Sequence, residues 1–163
     1  MGSSGTNAAI TLSLLDRLTD LDPGSQKETK LSPWEEMRLF EESIARDLNA
    51  LLNTRRTEID FDPTYEQSTN SVLTFGIVDF TPYDLMGATE RERVRSSIEQ
   101  SIRKFEPRLT KVRVAMAQPD RLNPILHFQV TAQLRFHPEA KVLMFGVDLH
   151  RDSRHIAVKG EKS

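Results

Sequence analysis

Glu106 and Arg108 flank Pro107, so a carboxylate and a guanidinium stand two residues apart across a rigid corner. Such a pair can tie a fold together or be offered to a partner. In the local reading, Glu106 accepts backbone N–H groups or pairs with an arginine, and Arg108 lies along the start of a strand. In the partner reading, the guanidinium grips a carboxylate of another chain through two parallel hydrogen bonds. A third chemistry is glycoside cleavage, which needs two carboxylates across a cleft, one of them protonated. Glu106 is a candidate acid there, with Asp79 or Asp60 as its counterpart. The usual catalytic signatures are missing. There is no glycine-rich phosphate loop, G-x-S-x-G elbow or H-E-x-x-H. His127, His137, His150 and His155 show no metal-ligand spacing, and the chain has no cysteine, which removes thiol catalysis and zinc–thiolate sites. No catalytic residue, metal site or cofactor site is assigned, and the chain is not expected to be an enzyme.

The corner sits where one periodicity gives way to another. Val94, Ile98, Ile102 and Phe105 fall on one helical face. Pro107 lacks an N–H and disfavours helical geometry at the residue before it, so the helix ends at Glu106. Thr89 to Glu92 reads as the capping box that opens it. Beyond the corner, Val112, Val114 and Met116 alternate with Lys111, Arg113 and Ala115. Leu126, Phe128, Val130, Ala132, Leu134 and Phe136 alternate without a break, and Leu143, Phe145, Val147 and Leu149 form a further strand. One buried and one polar face favour an antiparallel sheet. His137-Pro138-Glu139-Ala140 reads as the connecting turn, and Ile156 to Val158 as a weak edge strand.

Upstream, Ser32-Pro33-Trp34-Glu35 opens a long helix, with Ser32 as cap, Pro33 at the first position and Glu35 closing a capping box. Trp34, Met37, Phe40, Ile44, Leu48, Leu51 and Leu52 give its apolar stripe. Acids gather early and Arg46, Arg55 and Arg56 late, which complements the helix dipole. Arg55 and Arg56 are a solvated helix end or a partner contact. Thr57 to Phe61 reads as a short edge strand. The irregular segment 64–88, with Val72, Leu73, Phe75, Ile77, Val78 and Phe80, is expected to lie against the core. Leu12, Leu14, Leu15, Leu18 and Leu21 suit a short amphipathic helix that packs on this chain's own core or docks on another subunit.

The expected fold is α+β: two main helices at about 33–54 and 89–106, plus a short N-terminal amphipathic helix at 12–21, on a small, mainly antiparallel sheet. Residues 1–31 form a flexible segment carrying that short helix, 32–150 a single domain, and 151–163 a basic tail. A chain of 163 residues with 37% apolar content supports one real core. A net charge of −2 gives no nucleic-acid footprint. No apolar run approaches the roughly 20 residues that span a bilayer. The N-terminus matches a signal peptide poorly. These features fit a cytoplasmic protein.

Several segments together resemble the TssE family, the small baseplate-wedge proteins of bacterial type VI secretion systems. They are Ser13-Leu14-Leu15-Asp16-Arg17-Leu18, Arg46-Asp47-Leu48 with Leu51-Leu52-Asn53-Thr54-Arg55-Arg56, Ser71-Val72-Leu73 with Phe75-Gly76-Ile77-Val78-Asp79-Phe80, and Ile98 through Phe105-Glu106-Pro107-Arg108-Leu109. The family is similar to wedge proteins of contractile phage tails that share a lysozyme-like label. The resemblance implies a baseplate docked at an inner-membrane complex, with wedge core-bundle proteins and sheath subunits as partners. It implies that Glu106, Pro107 and Arg108 contact the core bundle and that an exposed sheet edge accepts strands from the first sheath ring; Leu14, Leu15, Leu18, Arg55 and Arg56 are further candidate partner contacts from the residue reading alone. Substituting Arg108 or Glu106 by alanine is then expected to weaken wedge binding and leave the fold intact. A regulatory adaptor and a cell-wall hydrolase using Glu106 are the alternatives.

Overall fold

The computed structural model describes residues 32–56, 67, 71–80, 82, 84, 85, 87–117, 125–135 and 141–161. Two helices, α1 (Pro33–Asn53) and α2 (Ala88–Phe105), lie with a four-stranded antiparallel sheet of β3 (Leu109–Met116), β4 (Ile125–Leu134), β5 (Val142–His150) and β6 (Ile156–Glu161), in that order across the sheet. A short parallel ribbon of β1 (Arg55–Arg56) and β2 (Ile77–Val78) and a 3-10 turn at Val72–Thr74 complete the described elements. The fold is mixed α and β as expected, and the sheet dominates it. The proposed helix at 12–21 and the strand at 57–61 lie outside the described residues.

Alternation along the strands sends one set of side chains inward. Phe128 stands opposite Val147, Val130 opposite Phe145 and Leu126 opposite Leu149, all of them buried. The helices cover this face, α1 against β6 and α2 against β3, and they touch each other. Met37, Phe40, Ile44, Leu48, Leu51 and Leu52 of α1 and Val94, Ile98 and Ile102 of α2 complete the core. Leu109 and Val112 are both buried although three residues apart, because a bulge between Thr110 and Arg113, with Lys111 at φ 51°, shifts the phase of β3. The segment read as a tail with a weak edge strand at 156–158 pairs with β5 from Ile156 to Glu161.

Several local expectations need correction. The capping box at Ser32 is present, with Glu35 N–H donating to Ser32 Oγ and Ser32 N–H to Glu35 Oε2. Trp34, however, is 71% exposed, and the apolar stripe starts at Met37. Helix α2 starts at Ala88, and its cap is Gly87, two residues before Thr89 and without a side-chain cap bond. The Glu92 carboxylate that would have closed a box there is held by Arg95 at 2.6–2.9 Å, a stronger charge-assisted contact. Helix α1 ends at Asn53 with no base in its last turn. Arg55 instead reaches back from β1 and donates to Leu52 O at 2.7 Å. In segment 64–88, Ile77 and Phe80 are buried, whereas Val72 and Leu73 are exposed on the 3-10 turn. Gly76 takes φ 107°, and a Cβ there would stand 2.4 Å from Thr54 O, so only glycine lets the β1–β2 ribbon close.

The two outer edges of the sheet differ. On β3, Arg103 donates to Val112 O, Val114 N–H donates to Glu99 Oε2 at 3.1 Å, and Arg95 donates to Val114 O at 3.1 Å. Side chains of α2 therefore occupy outward backbone groups that a new strand would need. On β6 only the start is clasped: Asn53 donates to Ile156 O at 2.7 Å and accepts from Ile156 N–H at 3.0 Å. Alternation turns the N–H and C=O of Val158 and Gly160 the same way, and no described residue bonds them.

Burial pushes the Glu99 carboxyl up, but the Val114 N–H, Arg95 and Arg103 outweigh it and hold the group below its ordinary range. A lowered folded pKa stabilises the fold above the ordinary carboxylate range, and that contribution is lost as pH falls through the folded pKa. Glu99→Gln should cost about 1 kcal/mol at neutral pH, and the gap to wild type should close on acidification, read by urea unfolding across pH. A gap that does not change with pH would show that the charge on Glu99 is irrelevant to the β3 edge.

Candidate functional site

Glu106 caps the C-terminus of α2, its N–H donating to Ile102 O at 2.9 Å. It is 5% exposed, which for a carboxylate requires dedicated partners. Arg108 supplies them. Its Nε donates to Glu106 Oε1 at 2.7 Å, its backbone N–H to the same oxygen at 3.2 Å, and a terminal guanidinium nitrogen to Oε2. That nitrogen also reaches Asp47 Oδ2 at 2.6 Å, the other terminal nitrogen reaches Ser43 Oγ at 3.3 Å, and the guanidinium lies 5.7 Å from the Phe40 ring centroid. The Glu106 hydrogen bonds raise the Arg108 pKa above its ordinary value, against the effect of burial. Arg108 O accepts from Arg135 N–H at 2.9 Å, which ties the corner to the end of β4.

Ser43 was not singled out from the sequence, and Asp47 entered only within the resemblance segment Arg46-Asp47-Leu48, with no role assigned. The signal was present. Phe40, Ser43 and Asp47 recur at helical spacing along the edge of the apolar stripe of α1, and polar residues at such positions face something that needs them.

With Arg108 turned inward, Pro107 is the exposed member of the trio. It borders a groove of about 410 Å³ whose apolar lining includes Leu48, Leu51, Phe75 and Phe105. Phe75 and Phe105 meet edge to face at 5.3 Å, and Phe75 closes the 3-10 turn that carries exposed Val72 and Leu73. The corner thus presents an apolar surface, while its charges are used internally.

The profile of the family described as baseplate wedge protein gp25 matches residues 38–139, more than half of the chain. The chain belongs to this family. The family includes TssE, and membership gives this wedge protein a structural role in a contractile-injection baseplate. No curated protein and no solved structure matches the chain. The match takes in both the Glu106–Arg108 corner and Arg55–Arg56.

The other predicted site residues of this wedge protein are placed as follows. Arg55 is internal: it donates to Leu52 O and to Arg154 O at 2.7 and 2.6 Å, and its guanidinium lies 4.2 Å from the Phe80 ring centroid. Burial lowers its pKa, against the charge of Asp79. Arg56, its neighbour, lines a different cavity on the flank of α2. Leu14, Leu15 and Leu18, and the carboxylate candidate Asp60, lie outside the described residues. Both oxygens of Glu106 are committed to Arg108, so neither is turned toward a leaving group.

This geometry changes the expectation for alanine substitutions, because removing Arg108 leaves Glu106 buried without its cation. Arg108→Ala should destabilise the fold by about 3–5 kcal/mol, read as a lowered urea midpoint. Arg108→Met with Glu106→Leu should recover much of that loss, since the stranded charge is gone. A single alanine variant within about 1 kcal/mol of wild type, the typical exposed-pair value, would show that the pair is not structural.

Proposed function

We propose that this wedge protein joins the core bundle of a type VI baseplate wedge to the first ring of the contractile sheath and starts sheath polymerisation by strand addition. In this reading it works in the cytoplasm, in a baseplate docked at the inner-membrane complex, and it cleaves nothing. Its partners are the core-bundle proteins and the sheath subunits.

The asymmetry of the two sheet edges carries the reading. Strand addition needs a row of unpaired backbone donors and acceptors. The outer edge of β3 is occupied by Arg95, Glu99 and Arg103. The outer edge of β6 is clasped by Asn53 at Ile156, and beyond it no described residue bonds the outward groups of Val158 and Gly160. The core bundle docks on the apolar groove beside Pro107 and extends from Phe75 onto the 3-10 turn before it, where burying Val72 and Leu73 removes exposed apolar surface from water.

Each contact has its own variant. Val158→Pro deletes one outward donor and leaves the ladder to β5 in place, because Ala157 and Lys159 make those bonds. Co-purification with sheath subunits should fall at least tenfold while wedge binding is retained. Leu73→Asp should do the reverse, weakening core-bundle binding at wild-type thermal stability. Undiminished sheath recruitment by the proline variant would remove β6 as the accepting edge, and undiminished wedge binding by Leu73→Asp would remove the 3-10 turn beside the groove as the core-bundle contact.

A further inference from the structure

Among the described residues the large apolar side chains left exposed are Trp34, Val72, Leu73 and Val142. Trp34 carries the Arg38 guanidinium over its ring at 6.0 Å, and Val142 lies apart at the start of β5. Val72 and Leu73 are neighbours, 82% and 58% exposed, and the 3-10 turn that holds them runs into Phe75 and so into the groove beside Pro107. Leu48 and Leu51 are the buried floor of that groove. Its open apolar surface is Ala50 and Pro107, both exposed, with the half-buried rings of Phe75 and Phe105. The cavity beside Arg56, by contrast, is lined mostly by polar side chains. The chain carries a face that matches the groove. Leu14, Leu18 and Leu21 recur at helical spacing with Leu15 beside them, and Ser13, Asp16 and Asp20 fall on the opposite side. A helix as short as 12–21 is marginal in water unless a surface buries its stripe.

We infer that the leucine face of residues 12–21 docks, within its own chain, on the groove beside Pro107 and the adjoining 3-10 turn, and that the core bundle displaces it on assembly. The tether is long enough. The described residues begin at Ser32, the cap of α1, and the groove residues Asp47 to Leu51 lie about 21–27 Å along the helix from Pro33. Residues 22–31 span up to about 33 Å when extended, and Pro23-Gly24 supplies the turn that sends the segment back along α1. A tether this short holds the leucines at an effective concentration of about a millimolar, so at lower protein concentrations a second copy competes poorly for the same surface. The displacement step rests on the core bundle docking at this groove, and the covering does not. With the groove covered, apparent affinity for the core bundle falls in proportion to the fraction of molecules whose groove is open.

The test uses the full chain. It has no cysteine, so Ser13→Cys gives a single site for a nitroxide on the polar side of the segment. The amide signals of Ala50, Leu73, Phe75 and Phe105 should lose at least half their intensity to the label, and those of Ala117 and His127, at the other end of the sheet, should keep theirs. Leu14→Asp with Leu18→Asp should restore the groove signals from the segment's side, and Leu73→Asp should restore them from the groove's side. The Leu14→Asp/Leu18→Asp variant, unlabelled, should bind the core bundle at least fivefold more tightly than wild type. Groove signals that the label leaves untouched, broadening that survives in both variants, or broadening that fades in a mixture with excess unlabelled chain would overturn docking within the chain. Core-bundle affinity that falls or stays the same in the Leu14→Asp/Leu18→Asp variant would overturn the displacement. Failure of the core-bundle reading itself is read separately, by adding Leu73→Asp to that variant. Wedge binding that this addition does not weaken removes the core-bundle contact, while the docking read by the label stands.

Discussion

A buried carboxylate must be answered, and much of this molecule is arranged around answering Glu106. Its partner, Arg108, lies two residues on, across a proline that fixes the turn between them. Because Arg108 also holds Asp47 and Ser43 of α1, and its carbonyl takes the N–H of Arg135, one guanidinium-bearing residue connects the end of α2, the start of β3, the middle of α1 and the end of β4. A lysine could not do this. It lacks the planar fork that lets one side chain bond Glu106 through two nitrogens while still reaching Asp47. The pair is weak evidence of net stability, since desolvating both charges offsets much of their attraction. Its stronger consequence is register: the helix, corner and strand fit together in one way if no charge is to be left alone.

The same helix that ends at Glu106 also finishes one edge of the sheet. Arg95, Glu99 and Arg103 are spaced four residues apart on α2, so they form one row, and β3 runs alongside that row because the corner sends the chain straight back. Placing charged side chains on outward backbone groups is a common way to blunt an edge. At the other edge α1 supplies one amide, Asn53, which matches both groups of Ile156 and goes no further. Two helices that cover the same face of the sheet thus treat its borders differently, and the difference follows from one helix ending where its border begins.

The large elements were legible because their signals are local. Alternation in β4 and β5 and the capping box at Ser32 are written in neighbouring residues. What was not legible depends on tertiary geometry. The bulge at Lys111 carries no residue-type signal, since lysine has no preference for positive φ. Trp34 fits the stripe of α1, but the first turn of that helix leaves it exposed. The false box at Thr89 had the right letters, yet Glu92 faced an arginine three residues on, and a charged partner outcompetes a backbone amide. At the corner, both the local and the partner reading could be stated from the sequence. Choosing between them required Asp47 and Ser43, which lie some sixty residues away in the chain.

That choice bears on how a short motif can mark an interface without its charges touching the partner. Glu106 and Arg108 satisfy each other, so an incoming chain has little to gain from either. What they do is hold Pro107 outward and bring Phe105 against Phe75, beside Leu48 and Leu51. In the proposed reading a partner meets a preformed apolar groove rather than flexible side chains that must be ordered on binding, and preorganisation of that kind lowers the entropic cost of association. Loss of either charged residue would loosen the groove from behind. A binding defect in such a variant therefore speaks for contact only if the fold is intact, and substitution of the exposed Leu73 separates the two effects where substitution of Arg108 cannot.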